Sequence, residues 1–95
     1  MKKTFPLQAP GKDDARVRDK IRHEVNKYVR RERQKDLPLG FALWAFDCQV
    51  GLSAAAAEVR SLKDVGAAID AVSAAGATEV YVEIVAAPAH RTAIG

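Results

Sequence analysis

Arg16, Lys20, His23, Lys27, Arg30 and Arg31 stand at offsets 0, 4, 7, 11, 14 and 15, the spacing that gathers side chains along one face of an α-helix. At the helical rise per residue they would form a basic ridge about 22 Å long. Such a ridge can receive phosphates or carboxylates, and arginine adds a planar fork that matches phosphate oxygens. Arg30-Arg31-Glu32-Arg33 and then Lys35 thicken the charge at its far end. The competing description is a solvated helix surface. Asp19 lies at i+4 spacing from His23, and Glu24 at i+4 and i+3 spacing from Lys20 and Lys27, so part of the charge is expected to be answered within the helix. Exposed pairs of that kind are worth only about 0.3–0.5 kcal/mol each.

No other group competes with the ridge. Cys48 falls on the inward face of an expected strand, where a packed thiol is the ordinary state, and His23 and His90 have no companion ligands at metal spacing. Asp47 and Glu83 read as acids on a solvated sheet face, and Gly11 and Gly66 fit no phosphate-loop spacing. A non-enzymatic protein is therefore expected, with no catalytic residues, no metal and no cofactor.

The ridge needs a helix to carry it. Asp13 or Asp14 can cap one, and Val17, Ile21, Val25, Tyr28 and Val29 mark its apolar stripe, running to about Gln34. Before it, Lys2 to Leu7 reads as a strand with Phe5 and Leu7 on one face, stopped by Ala9-Pro10-Gly11. After it, Leu37-Pro38-Leu39-Gly40 breaks the chain. Ala42, Trp44, Phe46, Cys48 and Val50 then alternate as the buried face of a strand over 41–50. Residues 54–60 are ambiguous: four consecutive alanines favour helix, while Val59 and its neighbours favour a short strand at roughly 56–60. Ser61 with Asp64 predicts a capping box opening a second helix, with Leu62, Val65, Ile69 and Val72 inward and Gly76 at its close. The last strand alternates from Thr78 to Ala86, and Pro88 is expected to end it, leaving 87–95 as a flexible C-terminal tail that includes His90.

The resulting order, β-α-β-β-α-β, predicts an α+β, two-layer ferredoxin-like sandwich. A helical 54–60 would instead give β-α-β-α-β and a three-stranded sheet. Either way, 95 residues make one small domain, 1–95.

Charge and composition bound the partners. The first 36 residues hold twelve Lys and Arg against six acids, a net +6, while the remaining 59 sum to −3. The positive potential is thus local to the N-terminal third even though the whole chain carries only +3. A single cysteine fits a reducing, cytoplasmic setting, and no run of apolar residues is long enough for a transmembrane helix, so no membrane partner is expected. Pro6, Pro10 and Gly11 likewise interrupt what a signal peptide would require. Of the six aromatic residues, Phe5, Trp44 and Phe46 are assigned to the buried sheet face, leaving Tyr81 as the expected exposed ring on the open face beside Glu79 and Glu83. That face is poor for RNA. Its Tyr81 and Val85 suit pairing with a second copy instead.

The opening Met1-Lys2-Lys3-Thr4-Phe5-Pro6-Leu7, the run Lys27-Tyr28-Val29-Arg30-Arg31-Glu32-Arg33, Trp44-Ala45-Phe46-Asp47-Cys48, Tyr81-Val82-Glu83-Ile84 and Pro88-Ala89-His90-Arg91-Thr92 together resemble a family of small bacterial proteins known only as a domain of unknown function. The resemblance covers nearly the whole chain and implies no activity, substrate or site residue. Members tend to continue past His-Arg-Thr into a Lys-rich tail, whereas this chain reads Ala93-Ile94-Gly95. The expectation is a binding module whose first-helix ridge meets an anionic partner, nucleic acid first and an acidic protein second. The alternative is an assembly protein that homodimerises through its open sheet face.

Overall fold

The computed structural model describes residues 1–90 and places them in four strands and two helices. Strand β1 (Lys2–Pro6) leads to α1 (Asp14–Arg33). Strands β2 (Leu43–Gly51) and β3 (Glu58–Arg60) follow, then a 3-10 turn (Leu62–Asp64), α2 (Val65–Ala74) and β4 (Glu79–Ala89). Residues 54–57 are turn and coil and Glu58–Arg60 is a strand, so the three-stranded alternative does not form.

The sheet is antiparallel throughout, in the order β1-β4-β2-β3. This corrects the ferredoxin-like expectation, in which the first and third strands would hold the centre. The residues give the reason. β1 carries Pro6 and two exposed lysines, features tolerated at an edge, and β3 is only three residues long. β4, with Val80, Val82 and Ile84 at 0% exposure, is the strand able to be covered on both sides. Each helix still links two strands separated by one intervening antiparallel strand: α1 joins β1 to β2 around β4, and α2 joins β3 to β4 around β2.

The core forms where the expected stripes meet. Val17, Ile21, Val25 and Val29 of α1 and Val65 and Ile69 of α2 join Phe5, Leu7, Cys48, Val50 and the three inward residues of β4 in one buried cluster. Asp13 caps α1 by accepting from the Ala15 amide at 3.1 Å. The second cap differs from its expected form. The Ser61 hydroxyl donates to Asp64 Oδ2 at 2.8 Å and makes no bond to backbone, in place of the reciprocal backbone bonds of a full capping box. Gly76, at φ +89°, closes α2 in the left-handed conformation that glycine adopts without a Cβ penalty.

β4 runs past its expected end. Ala87–Ala89 belong to the strand, with Pro88 opposite Trp44 and Ala89 opposite Leu43. β1 pairs only as far as Glu83, so among the described residues the flank of β4 at Pro88 has no neighbouring strand, and the missing N–H breaks no ladder there. Of the tail expected at 87–95, then, the first three residues are strand, and 91–95 lie outside the described residues. Leu43–Asp47 against Val85–Ala89 form a two-stranded ribbon beyond the reach of β1 and β3. The ribbon stretches the molecule to 48 × 24 × 23 Å and a radius of gyration of 15.0 Å, against about 12 Å for a compact chain of this length.

At the other end of β2, the backbone of Ala56 and Ala57 fills the space a side chain would need. A Cβ on Gly51 would lie 2.7 Å from Ala57 Cα and 2.8 Å from the Ala56 oxygen. Gly51→Ala is therefore expected to destabilise the fold by about 1–3 kcal/mol, read as a lower urea midpoint. An unchanged midpoint would mean that the turn is not pressed onto β2.

Candidate anion-binding face

Helix α1 lays its apolar stripe on the sheet and turns the opposite face outward. Arg16, Lys20, His23, Lys27, Arg30 and Arg31 are all exposed on that outer side, so the structure brings the six predicted residues together on one element.

The acids expected to answer them are engaged elsewhere. Asp19 pairs with Arg22 at 3.1 Å, and Glu24 reaches across to Lys3 of β1 at 3.1 Å. Glu32, in the last turn, is held by Lys35, whose hydrogen bond is the foremost cause keeping its carboxyl below the usual range. Asp70 of α2 takes Arg18 at 3.1 Å and also Arg22. Among the described residues none of the six ridge side chains is in an ion pair. Helix geometry accounts for the difference. At 100° per residue, Glu24 falls on the flank facing β1, and Asp19 on the side of α1 that leads toward Arg22 and α2, so each acid meets a cation off the ridge.

Sequence reasoning missed Asn26 and Lys63 beside the ridge and read Arg33 only as added charge at its far end. Asn26 and Arg33 project from the α2 side of α1, and Lys63 approaches from the 3-10 turn, all three exposed. Nothing in the spacing of Lys63 announces this, because tertiary packing alone brings it to α1. Arg33 also stands over the Phe46 ring, 5.4 Å from its centroid.

The other candidates separate from this face. Cys48 is 1% exposed, and its thiol is pushed up, first by burial and then by Asp47, so a thiolate nucleophile is disfavoured there. Tyr81 is not the exposed ring expected of the open face. It is 9% exposed, lies between Thr4 and Gly51 in the sheet, and donates its hydroxyl to Glu83 Oε1 at 2.7 Å. Phe41 is the more exposed ring and stacks on His90 with centroids 4.6 Å apart. Among the described residues, no group of three or more His, Cys, Asp or Glu could hold a metal ion, and no helix is long and apolar enough to cross a membrane.

What these features define is a small α+β protein with an unanswered basic helix face. Residues 1–94 match the model of a family of unknown function, DUF6172, and the chain belongs to that family. No curated protein and no solved structure matches it.

Proposed function

We propose that the protein is a small non-enzymatic binding module of the bacterial cytoplasm whose α1 ridge contacts the phosphates of nucleic acid. One observation carries the reading: five exposed Lys and Arg share a face with His23, while Asp19, Glu24 and Glu32 are each paired with a cation off that face. Cations that had only to keep the surface soluble would gain from the i+3 and i+4 acids within reach, and here those acids are diverted. Lys20, Lys27, Arg30 and Arg31 are the phosphate contacts, with Arg16 and His23 at the margin.

Four neutralised phosphates release about four counterions' worth of charge. Log affinity for a mixed-sequence oligonucleotide should then fall against log salt with a slope near −3 to −4, roughly a hundredfold loss between 50 and 200 mM. Fluorescence anisotropy at several salt concentrations measures this, and a slope near zero would remove the phosphate contacts. An acidic protein partner is the lesser reading of the same face.

A homodimer through the open sheet face is the competing reading, favoured by the ribbon. Its outer face pairs Leu43 with Ala89, Ala45 with Ala87 and Asp47 with Val85, leaving Leu43 38% and Val85 39% exposed. Equilibrium sedimentation separates the two, since a concentration-independent monomer mass would end the dimer.

A further inference from the structure

The space between α1 and the start of α2 is a chain of three connected hollows. The largest, about 530 Å³, is walled by Arg22, Asn26, Arg33 and Lys63 over an apolar floor that includes Leu62 and Val65. A second of about 350 Å³ shares Asn26, Arg33 and Leu62 with it and adds Arg30. A third of about 230 Å³ shares Asn26 and Arg30 and opens onto His23 and Lys27 of the ridge. No carboxylate lines any of the three. Arg22 is already committed to Asp19 and Asp70 and forms a fixed wall, whereas Lys63, Arg30 and Asn26 have no ion-pair or side-chain hydrogen-bond partner among the described residues.

We infer that this groove binds single-stranded nucleic acid, one strand passing from the ridge at Lys27 and Arg30 into the hollow between Asn26, Arg33 and Lys63. The inference rests on the phosphate reading of the ridge and narrows it. The cations follow one another along a line instead of converging on a point, which suits successive phosphates better than one small anion. The groove is concave and runs along the seam where α1 meets the 3-10 turn and the start of α2. A single strand fits there, and a duplex, which presents its phosphates on a broad convex surface, does not.

The groove also supplies what the ridge lacks, a surface for bases. Arg33 is oriented by the Phe46 ring at 5.4 Å and lines two of the hollows, so its guanidinium plane is a stacking platform, as arginine planes are in single-strand recognition. Leu62 offers an apolar floor beneath a base. The Asn26 amide, common to all three hollows, can both donate to and accept from a base edge. An acidic peptide would use the charges and leave the stacking platform idle.

The experiment compares a labelled single strand of about 12 nucleotides, its duplex and an acidic peptide of similar length, at low salt by anisotropy. The expected result is a single strand bound about tenfold more tightly than the duplex, the equivalent of one stacked base. Asn26→Asp with Lys63→Glu, both exposed positions, should weaken the single strand about tenfold or more and the duplex by less than about threefold. Arg16→Glu with Lys20→Glu, on the ridge alone, should weaken both forms. If the groove pair leaves single-strand affinity unchanged while the ridge pair reduces it, the groove inference fails and the ridge reading stands. Equal affinity for duplex, or an acidic peptide bound as tightly as the strand, also overturns the groove inference. Absence of binding to either oligonucleotide overturns both.

Discussion

Reversing the charge of Lys27 and Arg30 together is expected to lower oligonucleotide affinity by about a hundredfold or more at 50 mM salt. Each phosphate contact contributes a log affinity of about 0.9 times the log of inverse salt concentration, which at 50 mM is about tenfold per contact. Two lost contacts give the hundredfold, and two new negative charges beside the bound strand add repulsion. The slope against log salt should fall by about two at the same time. Both side chains are exposed and unpaired, so the fold should survive. Arg30 lies in the last turn of α1, where a positive charge favours the helix dipole, and its reversal costs about 0.3–1 kcal/mol. A urea titration of the variant separates that small loss from the loss of binding. Affinity within threefold of the original would show that these two residues touch no phosphate.

The largest stability effect is expected at Ile69. It is 0% exposed, belongs to the buried cluster, and sits on the one turn of α2 that also presents Asp70 to Arg18 and Arg22 of α1. Ile69→Ala removes three carbons from the middle of the helix-to-sheet layer and leaves a cavity, a loss of about 2–5 kcal/mol. A domain of this size has about 5–15 kcal/mol in all, so the variant should approach the threshold of folding at physiological temperature. The urea midpoint should fall steeply with little change in slope. A loss below about 1 kcal/mol would mean that α2 is not held on the sheet through this residue.

Much of this architecture was legible in the residues, and where it was not the causes are physical. The stripe Val17, Ile21, Val25 and Val29 announced both α1 and its outward ridge, and alternation announced the inner face of β4 and of β2 at Cys48 and Val50, while Trp44 and Phe46 are only half-buried and Ala42 is exposed and precedes the strand. The order of the strands was not announced, because periodicity states which face a strand buries and is silent on which neighbour it takes. Pro6 and the exposed lysines of β1 did hold the clue that this strand is an edge. Pro88 misled because a proline ends a strand only where its N–H is needed, and the ribbon leaves that flank of β4 unpaired. Tyr81 misled because outward alternation does not ensure exposure: the residue lies beside Gly51, where the Ala56–Ala57 backbone is pressed close.

The ridge itself was legible and its electrostatic state was not. Spacing showed that Asp19 and Glu24 could reach Lys20, His23 or Lys27. Arg22 stands at i+3 from Asp19 and was within reach of the same spacing argument, whereas only packing revealed Lys3 as the partner of Glu24, since Lys3 comes from a strand more than one helix-length away in sequence. Asn26, Arg33 and Lys63 became a groove for the same reason, when the 3-10 turn docked beside α1.

An amide-shift titration of isotope-labelled protein with an oligonucleotide at low salt, repeated at about 200 mM salt, tests the central claim most directly. Salt-sensitive shifts concentrated on residues 16–35, with the strongest at Lys27 and Arg30, are the predicted result. Shifts absent from α1, or shifts there that persist unchanged at the higher salt, would contradict a phosphate-binding ridge.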